Sequence, residues 1–313
     1  MTQDKQPDCF LCGHSMYKEL RGLTDNRFGN PGEYYIAKCD HCGVLQTIPV
    51  PDTEQLKKLY EIYYNFGGEK GTIYTKVRDV FLNSFVYRSW MTIDGDVSFH
   101  SRRGQGQLLD IGCNEGRGLA IYQRNGFDPE GLELNEKAAQ DARMAGFTVH
   151  IQPLEEFQPK KLFDIVVLSN VLEHAPNPKE MLKNIHRVLK PGGHVWISCP
   201  NSQSWLRKLF GRSWINWHVP FHLFHFSSKT LGQLLQRSGF EITELKYATP
   251  SHWMSQSIVA AISARRGRKT RHLRSPLLVA FLMLFCRFVL FPLLWVGNLT
   301  GRGDCLVVEA KKI

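Results

Sequence analysis

Short apolar runs closed by an acidic or small polar residue recur along the chain. Residues 108–111, 131–134, 163–169 and 195–198 read as strands, with two more at 241–247 and 305–310. Helical stretches separate the first four, so the pattern predicts βαβ units and an α/β, doubly wound fold. Ahead of them, Glu54-Gln55-Leu56-Lys57-Lys58-Leu59-Tyr60-Glu61-Ile62-Tyr63-Tyr64 repeats apolar and tyrosine positions at three and four residues, the spacing of one helix face. A Leu-rich helix runs up to Ser238-Gly239-Phe240. Residues 276–296 are apolar over about 21 positions, which at about 1.5 Å each would reach across a hydrocarbon core.

Candidate chemistry begins where the first of these strands ends. Leu108-Leu109-Asp110-Ile111-Gly112-Cys113-Asn114-Glu115-Gly116-Arg117-Gly118 runs from an acid into closely spaced glycines, which let a backbone approach a ligand or adopt positive φ. The helix that follows offers unpaired N–H groups and a positive dipole end. Taken alone, the turn also fits a dinucleotide fingerprint or a tight connection with no ligand. Three later landmarks follow in order. Gly131-Leu132-Glu133-Leu134-Asn135 ends a second strand in an acid able to accept from both hydroxyls of a ribose. Asn170-Val171-Leu172-Glu173-His174 follows the strand at 163–169, and Lys190-Pro191-Gly192-Gly193 precedes the one at 195–198.

This series resembles the class I S-adenosylmethionine-dependent methyltransferases, in particular a bacterial branch with a Glu-His pair after strand four and a Lys-Pro-Gly-Gly turn before strand five. The resemblance covers roughly residues 80–250 plus the last strand, and implies a seven-stranded Rossmann-like sheet. It implies that Asp110, Gly112, Cys113, Asn114, Gly116 and Gly118 seat the methionine part of the cofactor and Glu133 its ribose. Leu134, Leu154 and Asn170 complete the pocket, Asn170 at its rear. Asn114 stands where the family has glycine, and asparagine is the residue that best tolerates a left-handed backbone in its place. The acid that commonly contacts the adenine amino group has no evident counterpart in residues 151–156.

Cysteine usage adds a second module. Of eight cysteines, Cys9-Phe10-Leu11-Cys12-Gly13 and Cys39-Asp40-His41-Cys42-Gly43 repeat one knuckle, and the others are scattered singly. Four thiolates at this spacing make a closed tetrahedral zinc site with no position for water, hence structural and not catalytic. His14 and His41 stand beside the knuckles as bystanders. The expected organisation is a zinc ribbon over residues 1–50, a linker with cofactor-covering helices over 51–95, a methyltransferase core over 96–250, an insertion over 251–303 and a final strand over 304–313. A zinc ribbon on a methyltransferase resembles both sugar and cell-envelope methyltransferases and certain ribosomal RNA methyltransferases.

At 43% hydrophobic and 22% charged, the 313-residue composition is that of a globular chain and excludes disorder. Scattered single cysteines and a polar Met1-Thr2-Gln3-Asp4-Lys5 start are the usage expected of a reducing cytosol. The net charge of +10 is local, because Arg265, Arg266, Arg268, Lys269, Arg271 and Arg274 fall within ten residues. They directly precede the apolar stretch. If the strands flanking that stretch pair in one sheet, both lie on one side of a bilayer and no single straight span can connect them. A bent, interfacial insertion is expected, with Arg287 reaching lipid head groups and the basic run meeting anionic lipid. The alternative is a buried lid or dimer face beside a solvated basic loop.

Residues 205–226 are rich in tryptophan, phenylalanine and histidine, and in the bacterial branch this segment borders the acceptor pocket. His222, His218 and His174 are the candidate bases for removing a hydroxyl proton. The expected function is methyl transfer to a hydroxyl of a lipid-linked saccharide or other amphiphilic cell-envelope precursor, peripheral to the inner face of the cell membrane. The alternatives are methylation of ribosomal or transfer RNA, and a protein that binds S-adenosylmethionine without turnover. Nucleic acid is not an expected partner, since cations and aromatics are segregated instead of interleaved. Oligomeric state and acceptor identity are left open.

Overall fold

The computed structural model describes residues 7–63, 80, 84–264 and 276–313. Its larger sheet has seven strands in the order β10-β11-β8-β7-β4-β5-β6. β4 is Gly106–Ile111, β5 Phe127–Leu132, β6 Val149–His150, β7 Phe163–Ser169 and β8 Leu189–Pro200, all parallel. β10 (Phe240–Ala248) and β11 (Cys305–Lys312) are antiparallel additions at one edge. The chain winds from β4 outward through β5 and β6, then crosses back to β7 on the other side. The direction of winding therefore reverses between β4 and β7, and the crevice beyond the carboxyl ends of those strands is where an open α/β sheet binds its ligand.

Leu108, Leu109, Val166, Val167, Leu168 and Ile197 are fully buried, so the central strands are covered on both faces. The Lys190–Gly193 turn expected from sequence is absorbed into β8 as an irregularity: Phe163 pairs with Leu189, while Ile165 pairs with His194.

A second sheet, β1-β2-β3-β9, joins β1 (Met16–Leu23), β2 (Tyr34–Cys39) and β3 (Leu45–Ile48) to β9 (Phe224–His225) from far along the chain. Leu45 pairs with His225 and Gln46 with Phe224, and Thr47 N–H donates to Leu223 O at 2.9 Å. The cysteine-bearing module is thus built onto the histidine-rich segment, and its sheet crosses the boundary expected at residue 50.

Among the helices, α1 is Thr53–Tyr63, α2 Phe85–Ile93, α3 Arg117–Arg124, α4 Glu136–Met144, α5 Pro178–Val188, α6 Trp205–Phe210, α7 Ser228–Arg237 and α8 Ser251–Ala264. The apolar stretch forms α9 (Pro276–Phe288) and α10 (Phe291–Leu299). No single described helix is long and apolar enough to cross a membrane, and the pair Phe281–Phe288 and Phe291–Leu299 is bent by 63°. Phe281, Phe288 and Leu299 are 63%, 71% and 66% exposed on this hairpin. The basic run 265–274 lies outside the described residues.

Arg287 corrects one expectation. It does not reach outward to head groups but is buried, with its guanidinium 3.7 Å from Asp94 and over the Phe291 ring. Asp94 caps the end of α2 and also accepts from Ser251 N–H. A buried carboxylate holds the arginine inward, because leaving either charge unpaired in that environment is costly.

Candidate functional site

The glycine-rich turn is built from left-handed backbone. Gly112, Asn114 and Gly116 have φ of +74°, +50° and +77°. Asn114 holds its position by donating from Nδ2 to Gly112 O at 2.9 Å, the local side-chain bond that makes asparagine workable where glycine would otherwise stand. Its own N–H donates to Glu133 Oε2 at 2.9 Å, while Glu133 Oε1 accepts from Asn135 N–H at 2.8 Å. The turn after β4 and the acid after β5 are therefore locked together. Each carboxylate oxygen still has a lone pair for another donor.

Over this turn opens a cleft of about 240 Å³, lined by Ser98, His100, Asp110, Gly112, Cys113, Asn114, Glu115, Arg117, Gly118, Tyr122 and Ser169. Asp110 lies in it, and its carboxyl is pushed up to about 8, first by burial and then by the nearby Glu133 charge. Gly118 is needed for space, since a Cβ there would stand 2.9 Å from Asp110 Oδ2.

Of the residues named from sequence, Asp110, Gly112, Cys113, Asn114 and Gly118 line the cleft, Gly116 shapes the turn and Glu133 braces it. Asn170 adjoins Ser169 with φ of +55° and a buried Oδ1 that has no hydrogen-bond partner among the described residues. Leu134 is exposed, and Leu154 is in the core away from the cleft lining. Ser98, His100 and Tyr122 also line the cleft, and no sequence motif marks them. They precede β4 or follow the turn, and only their spacing from it in the fold brings them to the cleft.

The three histidines converge as a second cluster. His174 and His222 ring centroids are 4.6 Å apart, and His218 and His222 4.9 Å. His222 Nδ1–H donates to Asn216 O at 2.8 Å, which leaves its Nε2 with the lone pair. His174 Nδ1 lies 2.8 Å from the Tyr60 hydroxyl on α1 and 2.9 Å from Phe221 O. Burial lowers all three, His174 to about 4, and keeps the imidazoles neutral at pH 7. Glu173, whose carboxylate oxygens have no hydrogen-bond partner among the described residues, is buried beside them and pushed up to about 8 by desolvation. Thr47 Oγ1 in β3 donates to His222 O at 2.6 Å and lies 3.0 Å from His225 Nε2. The cysteine module thus frames the cluster directly.

Cys9, Cys12, Cys39 and Cys42 gather with all four sulfurs within 4.8 Å of one another, Cys9 to Cys42 at 3.5 Å and Cys12 to Cys39 at 3.4 Å. Four sulfurs at about 2.3 Å from one ion would stand at comparable separations, so the donor set fits a tetrahedral metal. Burial pushes the Cys9 thiol up to about 11 and raises Cys42 as well, a cost that a bound cation reverses.

A sheet of this order, with a glycine-rich turn after β4 and an acid after β5, is the Rossmann-like sheet of the class I methyltransferases. Residues 93–245 match the methyltransferase-domain family model, and the chain carries an S-adenosylmethionine-dependent methyltransferase domain there. It is similar to the ubiquinone biosynthesis O-methyltransferase of Pectobacterium atrosepticum, at 30% identity over 138 residues, covering 40% of this chain and 57% of that protein. The Photorhabdus laumondii protein of the same name is 32% identical over 124 residues, covering 36% of this chain and 52% of that one. The match thus spans little more than half the length of these relatives. In structure the chain is similar to the 1,6-didemethyltoxoflavin-N1-methyltransferase of Burkholderia thailandensis, solved with 1,6-didemethyltoxoflavin and S-adenosylhomocysteine, with a TM-score of 0.48, 16% identity, and 90% and 96% of the two chains covered.

Proposed function

We propose that this chain transfers a methyl group from S-adenosylmethionine to a hydroxyl of an amphiphilic cell-envelope precursor, a lipid-linked saccharide being the leading case. The observation that carries the methyl-transfer reading is the turn at 110–118, which opens onto the cleft with Glu133 locked behind it, within the segment that matches the family model. The names of the similar curated proteins, O-methyltransferases, support oxygen as the methylated atom.

Bound S-adenosylmethionine supplies an electrophilic methyl on a positively charged sulfur. The chain's residues then have to position and to exclude water. Glu133 would accept from the ribose hydroxyls, and Asp110 would face the positive end of the cofactor. His222, whose Nδ1–H is committed to Asn216 O, keeps a neutral Nε2 lone pair that would accept the proton of an acceptor hydroxyl. His174 and His218 enclose it. Cys9, Cys12, Cys39 and Cys42 would hold one structural zinc ion, bracing the sheet in which β3 carries Thr47 beneath the histidine segment.

The exposed apolar face of α9 and α10 supports attachment to a membrane surface from one side, with the basic run 265–274 adding attraction to anionic lipid. Burial of Arg287 removes the charge that would oppose contact with acyl chains. The test is incubation with methyl-tritiated S-adenosylmethionine and either a total lipid extract or total RNA from the source cells. Label in the lipid extract is expected. Label in RNA alone would overturn the acceptor reading.

A further inference from the structure

The far wall of the cleft, away from Glu133, holds His100. The loop that carries it is pinned, since Asn125 Nδ2 donates to His100 O at 2.9 Å and to Arg102 O at 2.8 Å. The ring packs edge-on against Tyr122 at 5.7 Å, and its Nδ1 lies 3.1 Å from the Tyr87 hydroxyl on α2. Burial, and secondarily Arg124, lowers His100 to about 4, so the imidazole is neutral at pH 7. Burial also raises Tyr87 to about 12, so its hydroxyl keeps its proton and can donate. A neutral imidazole that accepts at Nδ1 carries its proton on Nε2. That nitrogen faces the cleft, 3.6 Å from where a Gly118 Cβ would stand, and Asp110 Oδ2 is 2.9 Å from the same point. No described residue hydrogen-bonds Nε2.

A neutral N–H donor and the Asp110 carboxyl therefore line the same cleft beside the first turn of α3, where the helix's unpaired N–H groups favour an anion. The ligand end that satisfies both at once is an α-amino acid zwitterion, with its carboxylate toward the donor and its ammonium toward the acid. We propose that His100 Nε2–H binds the carboxylate of the cofactor's amino-acid end while Asp110 faces its ammonium, so that the cleft distinguishes an intact amino-acid cofactor from the bare nucleoside. This rests on the S-adenosylmethionine reading above. It adds a residue that neither the glycine-rich turn nor the acid after β5 contains. A charged histidine would attract the same carboxylate but repel the ammonium and sulfonium nearby, and a neutral donor avoids that conflict.

The test compares two ligands by isothermal titration: S-adenosylhomocysteine, and 5′-methylthioadenosine, which keeps the nucleoside and sulfur but lacks the amino-acid end. His100→Ala should weaken S-adenosylhomocysteine on the order of ten- to a hundredfold, the scale of one hydrogen bond to a charged group. It should leave 5′-methylthioadenosine unchanged, which also shows that the variant is folded. His100→Gln, whose side-chain amide can donate, should recover part of the loss. Parallel weakening of both ligands, or no weakening of S-adenosylhomocysteine, overturns the inference. Failure of the unsubstituted protein to bind S-adenosylhomocysteine would instead overturn the cofactor reading, and is seen before any variant is made.

Discussion

Cofactor binding over Asp110 is expected to release a proton. The Asp110 carboxyl is pushed up to about 8 by burial and by Glu133, so in the cofactor-free protein at pH 7 its protonated form is favoured. S-adenosylmethionine brings an ammonium and a sulfonium into the cleft, and both favour the ionised acid. If the bound value drops below about 6, most of one proton, roughly 0.8 or more, leaves per cofactor bound at pH 7. Affinity should then rise as pH increases from 6 towards 8, by at most about tenfold per unit, and flatten above 8. The stability sign is opposite in the cofactor-free protein. Because the folded value lies above the unfolded one, this group's contribution is complete below about pH 4 and is lost as pH rises through about 8. The assay is isothermal titration from pH 6 to 8 in two buffers of different ionisation enthalpy, with Asp110→Asn run in parallel to subtract the titration of the ligand's own amino group, which begins above about pH 7. Asp110→Asn should bind more weakly, with no pH dependence and no proton release beyond that titration. A wild-type affinity that is flat from pH 6 to 8, with no net proton exchange, would refute the assignment of Asp110 to the positive end of the cofactor.

Asp304 is fully buried and accepts from Ser204 Oγ, Trp214 Nε1 and Asn216 Nδ2 at 2.6, 2.8 and 3.0 Å, so Asp304→Ala strands three donors and should cost about 3–5 kcal/mol in urea unfolding; a loss under about 1 kcal/mol would show that water replaces the carboxylate. Protein purified under reducing, chelator-free conditions should carry one equivalent of zinc by elemental analysis, and Cys39→Ser should lose most of it; metal-free wild type would contradict the four-sulfur reading. The protein should pellet with anionic vesicles more than with neutral ones, with salt weakening the difference. Replacing the exposed Phe281, Phe285 and Phe288 together by serine should release it without changing S-adenosylhomocysteine affinity, and wild type that ignores vesicles would make the hairpin a lid or a dimer face.

Features fixed by neighbours in sequence were legible before the fold was known. The run Asp110 to Gly118 constrains its own backbone, and the left-handed φ at Asn114 follows from one residue's local hydrogen bond. The two cysteine knuckles are likewise short-range, and their four sulfurs do meet. What sequence could not supply were partners brought together only by the fold. An arginine within an apolar stretch reads from sequence as one that reaches lipid head groups, yet Asp94 meets Arg287 from the end of α2. Thr47 and His222 are 175 positions apart, and nothing in either segment announces the β3–β9 pairing that joins them. His100 carries no motif, and its importance lies in the direction of one ring nitrogen toward Gly118.

The most direct test of the central claim is binding of S-adenosylhomocysteine to the full chain and to Gly112→Val. Gly112 has φ of +74°, and a Cβ there would stand 3.1 Å from Val171 Cγ2, so a branched side chain both strains the turn and intrudes where the cofactor must approach. Saturable one-to-one binding by the wild type and none by a folded Gly112→Val variant is the predicted result. Equal affinity in the two proteins would mean that the cofactor does not bind over the turn at 110–118, and the account of this cleft would fail.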